Sequence, residues 1–365
     1  MKIGFIVIIL LAVLVHGYVL WHVYQVLPFP VWAKWTVVAL MIAALAMLFV
    51  GFSGLYDRMP LWLASLCYNI STSWLIVFLY LLITFLLFDV GRLCHFVPKE
   101  WLHCNAWTAG TITALIAGLL VYGNIHYNNK VREPLALETG KQLSKPVKVV
   151  MISDLHLGYH NRKAEWQRWV KMINDENPDL ILVAGDIIDG HLRPLLEEDM
   201  AADFHQLKAP VVACLGNHEY ISGIEKSLDF YRLAGITLLR DSTITVGDLV
   251  IVGRDDRFSR KRKPLKHLLE GIDSTKYIIL LDHQPHKLEE AQKAGVDFQF
   301  SGHTHEGQVW PISLMVNRMY EKAWGPLQKG NTQYYISSGL GIWGGKYRIG
   351  TRSEYIVATI ETNVK

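Results

Sequence analysis

The first third of this chain is nearly free of charged side chains, and this feature constrains the fold most. Residues 1–130 contain only six of the 36 lysines and arginines and three of the 33 aspartates and glutamates. Four apolar stretches each approach the roughly 20 residues that an α-helix needs to cross a bilayer core. They lie at about residues 3–24, 36–52, 71–88 and 106–127. We therefore predict four transmembrane helices within residues 1–130 and a second domain, rich in charge, over residues 131–365.

Aromatic and basic residues near the four stretches indicate how the chain meets the bilayer. Tryptophan and tyrosine gather at the ends of the stretches, as in an aromatic belt. The first stretch has no A-x-A cleavage motif and three similar stretches follow it, so an uncleaved anchor is favoured over a signal peptide. Four spans put both chain ends on one side, which has seven nearby basic residues against three on the other. The positive-inside rule then predicts an integral, multi-pass membrane protein with a cytoplasmic second domain.

Histidines and cysteines of the apolar region show no ligand spacing. Five histidines lie in or beside the stretches: His16, His22, His95, His103 and His126. They would either cap helix ends and bond between helices, or serve a haem or a proton path inside the bundle. No two have the spacing of a facing pair, which favours the first interpretation. The four cysteines of the chain also lack paired spacing, so neither a disulfide framework nor a zinc knuckle is predicted.

The charge of the second domain is balanced. Residues 131–365 contain 30 basic and 30 acidic residues. A domain that binds a nucleic acid duplex usually has a clear basic excess on one face. No nucleic acid partner is therefore expected.

Polar clusters follow three apolar runs of the second domain at regular intervals. The runs are Val147–Ile152, Leu180–Ala184 and Val211–Leu215, and the first polar residues of interest after them are Asp154, Asp186 and Asn217. The intervals are 32 and 31 residues, and a strand–helix–strand unit takes about 30. Between the runs, Trp166, Trp169, Val170 and Ile173 have helical spacing, as do Leu196, Met200, Phe204 and Leu207. We expect an α/β fold in which these clusters share one edge of a parallel sheet.

Two further apolar runs end in the same way. Tyr277–Leu281 precedes His283, and Phe298–Phe300 precedes His303 and His305. One such cluster would usually be a turn or a helix cap, but a packed core has no need for five polar strand ends. The candidate ligands are Asp154, His156, Asp186, Asn217, His283, His303 and His305.

This donor set suits divalent metal ions. Carboxylate, imidazole and amide oxygen together fit manganese, iron or zinc, and the absence of thiolates disfavours a structural zinc site. A single catalytic ion needs about three protein ligands, so the set is large enough for two ions. Two ions about 3.5–4 Å apart can hold a phosphate group and generate a hydroxide for an in-line displacement.

The order and spacing of these motifs resemble the calcineurin-like metallophosphoesterase superfamily. The matching motifs are Asp-x-His at 154–156, Gly-Asp-x-x-Asp at 185–189, Gly-Asn-His-Glu at 216–219, the lone His283 and Gly-His-x-His at 302–305. Together they cover about residues 147–310, and five parts in the right order are far more specific than one short motif. The four apolar stretches resemble the membrane-anchored members. The resemblance implies N-terminal transmembrane helices followed by a two-sheet sandwich flanked by helices.

The resemblance also implies a role for each residue. The first metal ion would be bound by Asp154, His156, Asp186 and His305, and the second by Asp186, Asn217, His283 and His303, with Asp186 bridging. His218 would not bind metal but would stabilise the transition state and protonate the leaving oxygen. Asp189 and Glu219 would be outer carboxylates that orient the ligands.

The implied activity is a membrane-anchored, metal-dependent phosphoesterase. It would hydrolyse a phosphomonoester, phosphodiester or pyrophosphate bond with a metal-activated hydroxide. The bilayer as a partner favours a lipid-linked substrate, and a soluble nucleotide or phosphoprotein is the alternative. A different class of protein, a membrane sensor or scaffold that binds a phosphoryl ligand without turnover, would usually have lost a ligand or the acid, and this chain retains all of them.

Two other features lie outside the motifs. The glycine- and tryptophan-rich segments 302–310 and 339–345 are either ordinary turns or loops at the mouth of the site. A basic run consists of Arg254, Arg257, Arg260, Lys261, Arg262, Lys263 and Lys266. It is either a solvated loop or a site for an anionic lipid or substrate head group.

Overall fold

A computed structural model describes residues 2–363 of the chain, without the side chains of residues 2–6, 8, 9 and 52. The chain divides into two compact units, Met1–Gly123 and Asn124–Lys365. The first unit is helical, and the second contains all the strands of the described residues.

Four helices account for most of the first unit, and the last of them continues into the second unit. They are α1 (Lys2–Val26), α2 (Val31–Phe52), α3 (Leu61–Leu93) and α4 (Ala106–Asn128), with short 3-10 helices at Leu55–Arg58 and Lys99–Leu102. The helices α2, α3 and α4 are long and apolar enough to cross a membrane. In α1, the described segment that meets the apolar criterion is the shorter Leu10–Val26. Three long apolar helices indicate a multi-pass membrane protein.

The helix α3 is longer than the predicted stretch 71–88. It has 33 residues and begins after Pro60. The sequence pattern places its start too late because polar residues interrupt the apolar run. In the structure these residues bond to the helix itself: Asn69 Nδ2 donates to the carbonyl of Ser65 and Thr72 Oγ1 to that of Tyr68, both at 2.8 Å. Such bonds to the preceding turn satisfy a polar side chain without ending a helix.

Polar side chains of α1 and α3 meet around Asp89. Tyr18 donates its hydroxyl proton to Asp89 Oδ2 at 2.7 Å, His22 Nε2 lies 3.2 Å from the same oxygen, and Arg92 lies 3.3 Å from Oδ1. The His16 ring nitrogen Nδ1 bonds to the Ala12 carbonyl at 2.8 Å. His22 thus bonds between helices, in agreement with the first of the two interpretations of these histidines.

Twelve strands and eight helices follow in the second unit. The strands are β1 (Lys130–Thr139), β2 (Val147–Ile152), β3 (Leu180–Ala184), β4 (Val211–Cys214), β5 (Thr237–Leu238), β6 (Ser242–Val246), β7 (Leu249–Gly253), β8 (Tyr277–Leu281), β9 (Phe298–Ser301), β10 (Gly325–Lys329), β11 (Thr332–Ile336) and β12 (Ser353–Thr362). The helices are α5 (Lys163–Asp175), α6 (Arg193–Glu197), α7 (Met200–Phe204), α8 (Asn217–Ile221), α9 (Ile224–Leu233), α10 (Leu265–Leu268), α11 (Glu289–Lys293) and α12 (Ile312–Met319), with a 3-10 turn at His305–Gly307.

The strands form two mixed six-stranded sheets. The first has the order β1-β12-β2-β3-β4-β5, in which β2, β3, β4 and β5 are parallel neighbours. The second has the order β10-β11-β9-β8-β7-β6, in which β11, β9, β8 and β7 are parallel neighbours. Parallel strands bring their carboxyl ends to one edge, so the three clusters after β2, β3 and β4 share an edge, as predicted.

Alternate residues of a central strand point to opposite faces of its sheet, one toward an inner core and the other toward an outer core. Val149 and Met151 of β2 belong to an inner core that also contains Ile279 and Phe298 of the second sheet. Val150 and Ile152 point to the other face and pack with α5, α7 and α9. The outer face of the second sheet packs on α10 and α11. This period-two pattern produces two face-to-face sheets flanked by helices, which confirms the predicted α/β sandwich.

One predicted helix is divided in the structure. The spacing of Leu196, Met200, Phe204 and Leu207 suggests one amphipathic helix, but α6 ends at Glu197 and α7 begins at Met200. Asp199 lies between them with a left-handed φ of 49°, and this conformation stops a helix. Met200 and Phe204 are buried, whereas Leu196 is 55% exposed, so the first position of the apparent pattern does not face the core.

Candidate metal centre

The loops after the five strands converge because they bond to one another through the backbone. The Asp154 amide donates to the Gly185 carbonyl at 3.1 Å, and the His156 amide to the Asp186 carbonyl at 3.0 Å. The Gly302 amide donates to the His283 carbonyl at 2.9 Å, which joins the loops after β8 and β9. The His283 ring links the two sheets, because its Nδ1 lies 2.7 Å from the carbonyl of Ala184 at the end of β3.

A first group of donor atoms surrounds His156. Its Nε2 lies 3.1 Å from His305 Nε2, 3.7 Å from Asp186 Oδ2 and 3.9 Å from Asp154 Oδ1. His305 Nε2 lies 3.6 Å from the same Asp154 oxygen. Donors that share an ion at about 2.0–2.2 Å lie about 3–3.6 Å apart. The two distances from His305 fall in this range and the two others are slightly longer, so Asp154, His156 and His305 form a group that could hold a metal ion. Asp186 adjoins this group.

A second group of donor atoms surrounds His283. Its Nε2 lies 3.1 Å from Asp186 Oδ2 and 3.2 Å from Asn217 Oδ1. His303 completes a group with Asp186 and His283 whose donor atoms all lie within 4.8 Å of one another. The oxygen Oδ2 of Asp186 thus faces both groups. All seven predicted ligands are brought together in this region.

Several of these residues have a left-handed backbone. The φ angle is positive at Asp154 (55°), His156 (44°), Asp186 (53°), His303 (73°) and His305 (48°). This conformation is uncommon for residues with a Cβ and clusters at functional sites, because the surrounding structure must hold it. Here it turns the chain after β2, β3 and β9, so that the side chains that follow these strands point into one small volume.

Two glycines permit the close approach of the loops. A Cβ at Gly216 would overlap the Asp186 carboxylate, and one at Gly302 would overlap the Asp154 carboxylate. The neighbouring amides use this proximity: His218 N donates to Asp186 Oδ1 at 2.9 Å and His303 N to Asp154 Oδ1 at 3.0 Å. The Asp186 carboxylate is therefore fixed through Oδ1, and the Asp154 carboxylate through both oxygens, since His303 N also lies 3.2 Å from Asp154 Oδ2.

His218 belongs to neither of these two groups but lies next to the first, because with His156 and Asp189 it forms a further group of donor atoms within 4.8 Å of one another. Its Nδ1 donates a short hydrogen bond to the Asp189 carbonyl and lies 3.8 Å from Asp189 Oδ1. Because Nδ1 carries the proton of that bond, Nε2 is left for other partners. The His218 side chain is 15% exposed, whereas that of His156 is fully buried. His218 therefore lies where the cluster meets solvent.

Asp189 and Glu219 are buried carboxylates beside the ligands. Asp189 Oδ1 lies 3.2 Å from His156 Nδ1 and holds the tautomer that directs Nε2 to the cluster. Glu219 accepts the backbone amides of Gly216 at 2.7 Å and of Asp186 and Ile188 at 3.1 Å. It thereby ties the loop after β4 to the loop after β3.

The electrostatics of the cluster divide its four imidazoles: two have a lowered pKa, whereas burial of the other two is outweighed by nearby carboxylates, which raise the pKa of His156 and His283. Burial, and then the neighbouring His283, lowers the pKa of His303 to about 3. Burial and the adjacent His156 place the pKa of His305 well below its ordinary value. Burial also opposes the charge of Asp186, but nearby histidines, His283 first among them, outweigh it and hold the pKa of Asp186 low. Neutral imidazoles and an ionised carboxylate are the forms that bind divalent cations.

Sequence reasoning missed two buried residues behind the cluster. The His160 Nε2 donates a hydrogen bond to the Ile342 carbonyl at 2.6 Å, and burial lowers the pKa of His160 to about 4. The Arg348 side chain is fully buried and donates to the carbonyls of His305 at 2.6 Å, Ser338 at 2.5 Å and Gly341 at 3.3 Å. Arg348 follows the glycine-rich segment 339–345, but nothing in its local pattern distinguishes it from a surface arginine.

We expect Arg348→Met to destabilise the second unit. The substitution leaves several buried carbonyls without a charged donor, and loss of such bonds costs about 3 kcal/mol, or about 6–12 °C in Tm for a unit of this size. Thermal unfolding of the full chain in detergent measures the shift, and Arg168→Met, at an exposed arginine of α5, is the control. Equal midpoints for the two variants would contradict a structural role for Arg348.

Comparisons with known proteins agree with this geometry. A family model described as calcineurin-like phosphoesterase matches residues 147–307. An uncharacterized metallophosphoesterase of Aquifex aeolicus is 31% identical over 240 residues, which cover 63% of this chain and 91% of the relative. An uncharacterized metallophosphoesterase of Helicobacter pylori is 32% identical over 224 residues, and the match spans 59% of the length of each chain.

A further relative is named as a membrane protein. A transmembrane protein with metallophosphoesterase domain from Danio rerio is 28% identical over 328 residues, which cover 82% of this chain and 74% of the relative. The buried histidine and aspartate groups are consistent with the two-metal site of this family. On the strength of the Aquifex relative, the family model and the fold, this chain belongs to the calcineurin-like metallophosphoesterases.

Proposed function

We propose that the second unit hydrolyses phosphate esters with two divalent cations. The observation that carries this proposal is the Asp186 carboxylate, one oxygen of which lies 3.7 Å from His156 Nε2 and 3.1 Å from His283 Nε2. Asp186 would join two ions. One would also be held by Asp154, His156 and His305, and the other by Asn217, His283 and His303. The mixture of imidazole and oxygen donors suits manganese, iron or zinc.

Residues next to the cations would each have a separate role in the reaction. Bound cations supply positive charge to the phosphoryl oxygens and lower the pKa of water. His218 would donate a proton from Nε2 to the leaving oxygen, because its Nδ1 is occupied by the Asp189 carbonyl. Asp189 would fix His156, and Glu219 would fix the loops after β3 and β4. Removal of such outer carboxylates typically costs about 10–100-fold in metal affinity or activity.

The apolar helices support an action on or near a bilayer. We propose that the substrate is a phosphomonoester, a phosphodiester or a pyrophosphate, with a lipid-linked ester as the first candidate and a soluble ester as the second. The distribution of basic residues near four spans supports a cytoplasmic position of the second unit, which is part of this proposal.

The full chain in detergent is expected to hydrolyse generic aryl phosphates. With Mn²⁺, Fe²⁺ or Zn²⁺ added, release of 4-nitrophenol from its monoester and its diester would be followed by absorbance. Turnover that depends on the added metal supports the proposal, and the ratio of monoester to diester rates assigns the reaction. Phosphate binding without turnover under every metal would overturn the proposal and favour a sensor.

A further inference from the structure

The basic run after β7 lines a cavity. The cavity has a volume of about 870 Å³ and lies between the loop Arg254–Lys263, the helices α10 and α11, and the loop that follows β8. Its lining includes seven lysines or arginines and two glutamates. Residues 131–365 as a whole have equal numbers of basic and acidic residues, so positive charge is concentrated here. Like charges repel, and a concave basic surface focuses a positive potential that attracts anions.

Two arginines form the floor of the cavity. The Arg254 side chain is 8% exposed, and its Nη1 donates to Glu290 at 2.9 Å and to Asp282 at 3.3 Å. Arg262 donates to the same Asp282 oxygen at 2.5 Å. Among the residues that the structure describes, the buried Arg254 Nε and Arg262 Nη1 have no hydrogen-bond partner. A buried guanidinium N–H without an acceptor is costly, so the two floor arginines are held with part of their donor capacity unused.

Other cations of the lining have no acidic partner. Within residues 2–363, no ion pair joins the side chains of Arg257, Lys263, Lys266 or Lys293 to an acidic group. Arginine and lysine together favour phosphate, because the guanidinium can donate two parallel bonds and the ammonium adds a point charge. The cavity thus has the composition of a phosphate site.

The cavity and the metal cluster share one wall. Asp282, which holds both floor arginines, directly precedes His283. His286 lines the cavity, and its ring centroid lies 4.9 Å from that of Tyr320, which in turn lies 6.3 Å from the His303 ring. Arg257 and His286 both line the cavity, and burial and then Arg257 lower the pKa of His286. The cavity lining and the metal cluster are therefore connected through Asp282 and through the contacts of Tyr320.

We propose that this cavity is a substrate subsite that binds a second phosphate group of an ester whose first phosphate is hydrolysed at the Asp186 cluster. This inference rests on the proposed function and names its substrate class, a compound with two separated phosphate groups. Such a compound occurs either as a soluble bisphosphate or as a phospholipid with a phosphorylated head group.

Bisphosphonates of increasing chain length are the test. These non-hydrolysable compounds would be compared with alkyl monophosphonates of equal length as inhibitors of the aryl phosphate reaction and, by calorimetry, as ligands of the Mn²⁺-loaded chain. At the best length we expect the bisphosphonate to bind about tenfold more tightly, because charged hydrogen bonds contribute about 1.5–3 kcal/mol. A ratio near one at every length would overturn the inference.

Matched variants test whether the tighter binding of the bisphosphonate depends on residues that line the cavity. The double variant Arg257→Ala, Lys266→Ala should bring the ratio of mono- to bisphosphonate affinity close to one, and Lys293→Ala on α11 should lower it in part. The control Arg260→Ala, Lys261→Ala also removes one arginine and one lysine, here from the loop before α10. These residues do not line the cavity, and the ratio should be retained. Equal loss in the control, or none in the first variant, would refute the subsite.

Two further comparisons distinguish a lipid substrate from a soluble one, and the subsite proposal from the proposed function. The bisphosphonate would be offered in solution and linked to diacylglycerol in phosphatidylcholine vesicles. Stronger binding of the vesicle form identifies a lipid substrate, equal binding identifies a soluble one, and both support the subsite. Calorimetry needs no turnover, so the two hypotheses can fail separately. A chain without activity but with the expected affinity ratio would refute the proposed function and leave the anion site established. A chain with activity but without the ratio would support the proposed function and refute the subsite.

Discussion

Asp186→Asn is expected to abolish hydrolysis, with a fall in kcat of about 10³-fold or more. The amide oxygen can still accept the His218 backbone amide, which lies 2.9 Å from Asp186 Oδ1. The NH₂ group would then replace Oδ2, the atom that faces His156 and His283. A neutral hydrogen-bond donor at this position cannot join two cations, so the metal content per chain should also fall.

Elemental analysis of the purified variant and its kcat on the aryl ester are the measurements. A suitable control is Asp203→Asn, because Asp203 is equally buried but accepts hydrogen bonds from Gln167 and Gln206 at 3.0 and 3.1 Å, outside the cluster. The control tests whether loss of any buried carboxylate is enough to inactivate the chain. Full activity of Asp186→Asn with both metals present would rule out the bridging role.

His218→Ala is expected to lower kcat by about 10²–10⁴-fold while the metal content is unchanged. The reason is that the ring lies beside the ligands, bonds to the Asp189 carbonyl through Nδ1 and belongs to neither of the two groups proposed to hold the ions, although it forms a third group with His156 and Asp189. The control is His205→Ala, whose ring bonds to the Leu233 carbonyl at 2.9 Å on the far side of α7.

The leaving group distinguishes an acid from a residue that only binds phosphate. A 4-nitrophenol leaving group needs little protonation, whereas an alkyl alcohol needs much. The loss caused by His218→Ala should therefore be large for an alkyl phosphate and small for the aryl ester. An equal loss on both substrates would show that His218 acts on the phosphoryl group rather than on the leaving oxygen, and loss of metal would make it a ligand.

The fold could be predicted to a large extent because its signals are local. A buried strand is a short apolar run, and its end is marked by the first polar residues, as at Asp154 and Asp186. Intervals of 32 and 31 residues leave room for one helix, which implies parallel neighbours. The predicted edge of β2, β3 and β4 followed from these facts alone. The second sheet followed only from the family resemblance.

Local signals failed where a bond or a backbone angle overrides periodicity. The polar residues of α3 are satisfied by the preceding turn, so the helix extends from Leu61 through the region that appeared to interrupt it. A left-handed Asp199 divides α6 from α7 although the apolar spacing continues. Neither the hydrogen-bond partner nor the φ angle of a single residue is encoded in the apolar pattern.

The sequence by itself determined which residues can bind metal and that they follow strands, because donor chemistry and strand periodicity are properties of short segments. Only the tertiary structure decided which donor atoms meet: His156 and His305 are 149 positions apart, yet their Nε2 atoms lie 3.1 Å from each other. The tertiary structure also decided that Arg348 is buried and donates to several carbonyls, and that the basic run lines a cavity. These features depend on backbone and charged groups that are far away in the sequence but pack around the side chain. Local spacing in the sequence does not reveal contacts between two sheets.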